Sequence, residues 1–195
     1  MVGPVLRDHS RDKLLNAVAY FVQNTKSCGK TKLYKLLYFL DFQHYTETGR
    51  SVTGLEYYAW PMGPVPRALH EEIALPAQDF AARFEVENLV LRNGNEMLKL
   101  RPLQPFDPSH FSKRELRILE SLAKEFRTRT ADEMVEATHL ENLPWHQVYE
   151  KEGRRQELIP YELALRKGDK DQALGAIVEH EEFSENYGDR RDVSS

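Results

Sequence analysis

Gly29-Lys30-Thr31 has the residues that end a phosphate-binding loop. Such a loop has the pattern G-x-x-x-x-G-K-[ST], because its glycines let backbone N–H groups wrap around the phosphates. The first glycine would have to stand at position 24, where the chain has Asn24. The preceding residues also have a helical period, whereas the motif requires a strand. We therefore predict a joint between two helices at Gly29, and no nucleotide loop.

A zinc site is the second chemistry that residue types suggest. His70-Glu71-Glu72 begins like the zinc-hydrolase pattern H-E-x-x-H, in which two histidines one helical turn apart bind the metal. The second histidine would stand at position 74, where the chain has Ala74. The other histidines are scattered, and a single cysteine, Cys28, excludes a multi-cysteine zinc site and an intrachain disulfide. We predict no metal site and no cofactor.

Nucleophilic catalysis has one candidate residue. Cys28 lies between Lys26 and Lys30, and positive neighbours can lower the pKa of a thiol. The sequence specifies no histidine partner for it, and no G-x-S-x-G elbow is present. Cys28 is better explained as a small residue at a helix boundary. We predict that the protein is not an enzyme.

Length and composition describe a folded protein of modest size. The 195 residues suit one compact domain, or one domain with an appendage, and 41% of them are hydrophobic. The N-terminal residues show no secretion signal, and no apolar run approaches the roughly 20 residues of a transmembrane helix. We therefore expect a cytoplasmic protein with no membrane contact.

Nucleic-acid binding is disfavoured by charge. The net charge is −4, whereas phosphate binding draws its affinity from basic side chains. Residues 112–140 resemble two capped helices that could imitate a helix-turn-helix. The second of them offers Asp132, Glu133 and Glu136, which would repel phosphate. DNA reading is accordingly a minor alternative.

The pattern of apolar residues predicts a mainly helical chain. Apolar stripes with the helical period indicate helices over about 10–25, 31–46 and 65–75. Two capping boxes, Ser112 to Glu115 and Thr130 to Glu133, open two further helices. Pro144-Trp145 begins a short helical turn, and one or two helices follow Tyr161. We predict six or seven helices in all.

Fewer segments favour strands. Val52 to Trp60 is β-prone, and the prolines of Pro61 to Pro66 are expected to break any regular element. Phe84 to Arg101 predicts a hairpin that turns at Asn93-Gly94, with either a bulge or burial on both faces at Leu89 to Leu91. The predicted fold class is α+β, predominantly α-helical: one compact helical domain with a small antiparallel sheet or hairpin of two or three strands.

The second helix has the most unusual surface. Lysines and tyrosines flank its apolar stripe: Lys32, Tyr34, Lys35, Tyr38 and Tyr45. One interpretation is a central helix buried on several sides, whose tyrosine hydroxyls find local partners. The other is an exposed face for a protein partner, since tyrosine is enriched at binding hot spots. For the tyrosines, the residues alone leave both open.

Four blocks of residues, taken together, resemble one known family. They are Lys32-Leu33-Tyr34-Lys35-Leu36-Leu37-Tyr38-Phe39, Gln43-His44-Tyr45 with Thr48-Gly49-Arg50, Glu56 to Pro66 with Leu69 to Glu72, and Thr138-His139 with Pro144-Trp145. Their order and spacing are similar to those of the Panacea domain, also called the SocA-like antitoxin domain. The resemblance covers about residues 12 to 150. We expect an antitoxin domain over 1–157 and a C-terminal helical extension with a polar acidic tail over 158–195.

The resemblance implies an antitoxin of a bacterial or phage toxin–antitoxin system. Such a protein would bind and neutralise a cognate protein toxin encoded by the adjacent gene. The candidate toxin-binding residues lie on the second helix and the following loop: Lys32, Tyr34, Lys35, Tyr38, Tyr45, Trp60, Met62 and Pro64. Trp60 and Trp145 have a competing interpretation as core anchors.

Two other functions stay open at this stage. The protein could be a proteolytic adaptor that delivers the toxin to a protease of the AAA+ class, with the tail from Glu179 as a tether. It could also be a DNA-binding regulator of its own operon. A homodimer is a further candidate assembly.

Overall fold

The computed structural model describes residues 9–90, 94, 96–140 and 143–165. Seven α-helices and four strands occur in this part of the chain. Their order is α1 (His9–Asn24), α2 (Lys30–Thr48), β1 (Tyr57–Trp60), β2 (Gly63–Pro66), α3 (Arg67–Ala74), α4 (Gln78–Arg83), β3 (Phe84–Val90), β4 (Glu96–Pro102), α5 (Lys113–Glu125), α6 (Ala131–Thr138) and α7 (Pro144–His146). Three shorter turns complete it: 3-10 helices at Pro108–His110 and Tyr161–Ala164 and a π-helical turn at Gln147–Lys151.

Helix α2 is the centre of the domain. It packs against α1, α5, α6, β2 and β4, so that twelve of its nineteen residues are buried. Gly29 is its N-cap, as expected for a joint between helices. Gly49 ends it with φ +72, in the left-handed conformation that glycine adopts most easily. Glycines therefore mark both ends of the helix, and it is central because its buried residues continue around the axis.

The two capping boxes form as predicted. The Ser112 hydroxyl accepts from the backbone N–H of Glu115, and the Glu115 carboxylate accepts from the backbone N–H of Ser112 at 2.7 Å. Thr130 and Glu133 make the same exchange at the start of α6. These hydrogen bonds satisfy N–H groups that a helix start leaves without partners. Local sequence thus sets where both helices begin.

The sheet structure differs from the prediction in one respect. Two separate antiparallel hairpins are present, β1–β2 and β3–β4, where the sequence predicted one. Residues 63–66 form strand β2, so the expectation that the prolines would break any regular element there was wrong. The reason is that a two-stranded ribbon has outer edges, and proline is tolerated where no ladder N–H is needed. Helix α4 was also missed.

The second hairpin was predicted correctly. Strands β3 and β4 pair without interruption from Phe84 with Pro102 to Val90 with Glu96. No bulge occurs at Leu89 or Val90, and Val90 is exposed, so both alternatives were wrong. Gly94 has φ +79, as its place in the turn requires. Leu91 and Asn93 lie outside the described residues.

The described end of the chain folds back onto the core. The Tyr161 ring stacks on Phe42 with centroids 4.4 Å apart, and its hydroxyl donates to the Leu55 carbonyl. The backbone N–H of Ile159 donates to the Tyr57 carbonyl at 2.8 Å. Residues 158–165 are therefore continuous with the main core, and a domain boundary at 157 stays a prediction. The predicted acidic tail lies outside the described residues.

The described part of the chain contains no helix that could span a membrane. Each described helix is too short or too polar to cross a bilayer.

Candidate functional site

The eight candidate residues divide sharply by exposure. Six are buried in the structure: Lys32, Tyr34, Lys35, Tyr38, Tyr45 and Pro64. Trp60 is half-buried, and Met62 is exposed with 56% of its surface accessible. The structure therefore favours the first interpretation of α2, a central helix buried on several sides. Toxin contact by any of the eight residues stays a prediction.

Lys32 binds backbone carbonyls that follow the C-terminal end of α5. Its ammonium group donates to three backbone carbonyls, those of Lys26 at 2.9 Å, Arg127 at 3.2 Å and Arg129 at 2.7 Å. Arg127 and Arg129 follow the last residues of α5, where carbonyl groups lack helical partners and the helix dipole favours a cation. Burial lowers the pKa of Lys32. Its chemistry is that of a cationic cap that joins α2 to the α5–α6 connection.

Lys35 holds strand β2 in place. Its buried ammonium group donates to the Pro64 carbonyl at 2.8 Å. Burial lowers the pKa of this lysine to about 7. Gly63 lies so close that an added Cβ would meet Lys35 Nζ at 2.8 Å and Thr138 Oγ1 at 2.7 Å. Three elements, α2, β2 and α6, therefore meet at a glycine with φ +92.

The tyrosines of α2 find local partners, with one exception. The Tyr34 hydroxyl lies 3.2 Å from His70 Nδ1, in hydrogen-bonding geometry. Tyr45 donates to Glu162 at 3.3 Å, and burial together with that carboxylate raises the pKa of Tyr45 to about 12. Tyr38 packs against Phe42 with centroids 4.3 Å apart, but its buried hydroxyl makes no hydrogen bond of regular geometry within the described structure.

Trp60 and Trp145 connect the first hairpin to the C-terminal helices. The Trp145 indole N–H donates to the Trp60 carbonyl at 2.9 Å. Trp145 is buried, and the His139 ring stacks on it with 3.7 Å between the ring centroids. The Trp60 ring meets His70 of α3 edge-on. The prediction that Trp145 anchors the core is confirmed. Trp60 is half-buried, so part of its side chain packs on the core and part is accessible.

The turn of the first hairpin is exposed, although its strands are hydrogen-bonded to Lys35 and Trp145. Strands β1 and β2 are joined by Pro61-Met62, and both residues are exposed. At the other end of the hairpin, the exposed Arg67 pairs with Glu71 and lies over the Tyr58 ring, with 6.0 Å between the guanidinium carbon and the centroid. We call residues 60–63 the hairpin turn. It offers an apolar tip on a support that hydrogen bonds from Lys35 and Trp145 connect to the core.

Sequence reasoning missed one buried centre. The Asp41 carboxylate accepts from the backbone N–H groups of Val52 and Thr53 at 2.8 Å each, from the Thr53 hydroxyl, and from the Tyr57 hydroxyl at 2.7 Å. Burial raises the pKa of Asp41, and these four donors oppose that rise. Asp41 could have been recognised in the sequence as a single acid within the apolar face of a helix. A carboxylate buried at such a position is usually hydrogen-bonded to several donors.

The described residues form neither a metal site nor a reactive thiol. It contains no cluster of three or more histidine, cysteine or acidic side chains that could hold a metal. Cys28 is buried, and burial raises the pKa of its thiol. A reactive thiolate requires the opposite shift. This agrees with a structural role for Cys28 at the α1–α2 joint.

Helix α6, the second helix of the segment that resembles a helix-turn-helix, exposes acidic side chains. Asp132 and Glu136 of α6 are exposed. Hydrogen bonds from the Thr130 cap and from Arg129 lower the pKa of Glu133 to about 2, so that it is charged at neutral pH. These acids would oppose an approaching phosphate backbone. DNA binding remains an untested alternative that this geometry does not favour.

An apolar groove is the remaining concave feature of note. It has a volume of about 430 Å³ and lies between α2, α5 and the segment around α7. Phe39 and Phe126 stack in parallel across it with centroids 5.3 Å apart. Leu140 also lines it and is 62% exposed. Such a groove is suited to apolar side chains and offers little polar chemistry.

The fold is that of a mostly helical α+β domain. The sequence model of the family "Antitoxin SocA-like, Panacea domain" matches residues 33–146. This range covers more than half of the chain and runs from α2 to α7, so it includes the hairpin turn and its buried support. The chain belongs to this antitoxin-like family. No curated protein and no solved structure matches it significantly.

Proposed function

We propose that this protein is the antitoxin of a toxin–antitoxin pair and neutralises its toxin by direct binding. The observation that carries the proposal is membership of the antitoxin SocA-like family over residues 33–146. Binding requires a presented surface and no catalytic group, which is the kind of site described above. The partner is a protein toxin encoded by the adjacent gene.

The hairpin turn is the proposed contact surface. Of the eight candidate residues, Met62 is exposed and Trp60 is half-buried, so these two are available to a partner without unfolding. Methionine adapts to irregular apolar surfaces, and tryptophan is enriched at binding hot spots.

The six buried candidates have a supporting role in this proposal. Lys35 holds the Pro64 carbonyl, and Trp145 holds the Trp60 carbonyl, so both strands of the hairpin are tied to helices. A turn that is already rigid loses little conformational freedom on binding, which leaves more of the contact energy as affinity. The toxin would thus meet a surface whose shape exists before contact.

The test is coexpression of the adjacent gene product with Met62→Glu or with the matched control Leu75→Glu. Leu75 is an exposed apolar residue outside the hairpin turn. We expect Met62→Glu to lose neutralisation, because it places a charge at the centre of the contact, and Leu75→Glu to keep it. Circular dichroism of both variants confirms that each remains folded.

Four outcomes would count against the proposal. The adjacent product could be harmless alone, or it could stay toxic beside the unsubstituted protein, and either would refute the antitoxin function. Equal neutralisation by the two variants would refute the hairpin turn as the contact surface. A toxin level that falls only when this protein is present would replace occlusion by delivery to a protease.

A further inference from the structure

The groove between α2 and α5 is open on a surface that the described chain leaves uncovered. Its lining is mainly apolar and includes the half-buried rings of Phe39 and Phe126 and the exposed Leu140. Exposed apolar surface of this kind usually marks a place where another chain segment or partner binds. The question is which segment fits it.

The chain itself runs past this groove at the end of its described part. The 3-10 helix Tyr161–Ala164 packs on α2, and Ala164 lines the groove. Leu165, the next residue, is buried against Tyr45 and Tyr161. Residues 166–195 therefore continue the chain from a point beside the groove.

The sequence of this C-terminal segment contains one apolar cluster. Ala173, Leu174, Ile177 and Val178 stand between charged stretches at 166–171 and 179–192. Leu174, Ile177 and Val178 have the i, i+3, i+4 spacing that places side chains on one face of a helix. This spacing predicts an apolar helix face, which packing on an apolar surface would stabilise.

Reach and effective concentration favour an intramolecular site. An extended chain from Leu165 to Leu174 spans up to about 30 Å, so the cluster can reach any part of the groove. A short tether also keeps it at an effective concentration on the order of millimolar, which exceeds that of an untethered competitor. We propose that residues 173–178 of this chain dock in the groove between α2 and α5 in the free protein.

Disulfide trapping in the full-length chain tests this docking. Gln43→Cys introduces a thiol at an exposed position that lines the groove, and Ala173→Cys introduces one in the cluster. The control pairs Ala173→Cys with Leu75→Cys, which is exposed and lies outside the groove. On mild oxidation of dilute protein, we expect the groove pair to form an intramolecular disulfide in about tenfold greater yield than the control pair. The native Cys28 is buried, and peptide mapping identifies the linked pair.

A third substitution separates docking from simple proximity. Adding Ile177→Glu to the groove pair should reduce its yield to that of the control, since a carboxylate cannot be buried among these apolar side chains. Equal yields for the groove and control pairs, or no effect of Ile177→Glu, would overturn the proposal. So would disulfide-linked dimers that increase with protein concentration, because they would make a second copy the occupant.

Hydrogen exchange supplies a measurement without introduced thiols. In the otherwise unsubstituted chain, we expect backbone amides of residues 173–178 to exchange more slowly than in Ile177→Glu, and fast exchange in both would refute docking. The purified protein suffices for both experiments. Their outcome is therefore independent of whether the adjacent gene product is a toxin.

Discussion

The two hairpins share an antiparallel topology and differ in almost everything else. Strands β1 and β2 have four residues each, and β2 is buried along its whole length. Strands β3 and β4 have seven residues each, yet most of their side chains are exposed or half-buried. Val90 near the tip of the longer hairpin is 75% exposed, whereas Val65 in the shorter one is 6% exposed.

The difference shows that burial of a hairpin here does not follow its length. The short hairpin is covered because Lys35, Trp145 and Thr138, which are distant in sequence, surround its strands. The long hairpin pairs over seven positions and contacts α1 and α2 through β4, yet Phe84 and Leu100 are its two buried side chains. The first should therefore respond strongly to small changes and the second weakly.

The largest contrast is expected from one acid placed in each hairpin. Val65→Asp puts a carboxylate into the core, and we expect it to lower the free energy of unfolding by about 4 kcal/mol or more. Val90→Asp adds a charge to an exposed position and should change that free energy by no more than about 0.5 kcal/mol. Urea denaturation of both variants measures the difference. Similar losses would show that the hairpins are equally buried in solution.

A matched pair of glycines gives the second contrast. In Gly63→Ala, the new methyl group meets Thr138 Oγ1 and Lys35 Nζ at less than 3 Å and requires a left-handed backbone. We expect a loss of about 3 kcal/mol, from backbone strain and overpacking together. Gly94→Ala has the same positive φ but meets no described atom within 4 Å, so about 1 kcal/mol is expected from strain alone. Equal losses in thermal unfolding would exclude the steric part.

The third contrast, and the smallest per pH unit, is a pH dependence that belongs to the short hairpin. Burial lowers the pKa of Lys35 to about 7 in the folded state, while an unfolded lysine titrates near 10. Between these values the unfolded chain binds more protons, so stability should rise with pH by at most about 1.4 kcal/mol per unit and lose this gain as pH falls to 7.

Lys35→Met should remove that part of the slope between pH 7 and 9.5. The exposed Lys124→Met is its control and should leave the slope unchanged. Urea midpoints collected across this pH range decide the matter. If Lys35→Met keeps the slope of the unsubstituted protein, the Lys35 amine does not titrate near pH 7.

Local signals predicted the elements that depend on neighbouring residues. The helical periods and capping boxes placed α2, α5 and α6 within a few residues, because caps satisfy N–H groups from the same turn. The pairing of β3 with β4 followed from its turn pair. Strand β2 was missed since prolines disfavour a strand locally, and contacts with α2 and α6 outweigh that preference.

The exposure of the candidate residues could not be predicted from the sequence. Lysines and tyrosines have long side chains with an apolar body and a polar end, so their residue types suit either a surface or a core that offers partners. Which applies depends on groups far along the chain. The carbonyls of Arg127 and Arg129 receive Lys32, and that of Pro64 receives Lys35.

The sequence by itself determined the helical class, the capped helix starts, the longer hairpin and the family resemblance that the match over residues 33–146 establishes. These features are local, or consist of motifs in a fixed order. Only the tertiary structure decided that the basic and aromatic residues of α2 face inward while Met62 faces outward. Burial is a property of packing between distant segments, and a buried lysine is tolerated only where folding brings carbonyl oxygens to its ammonium group.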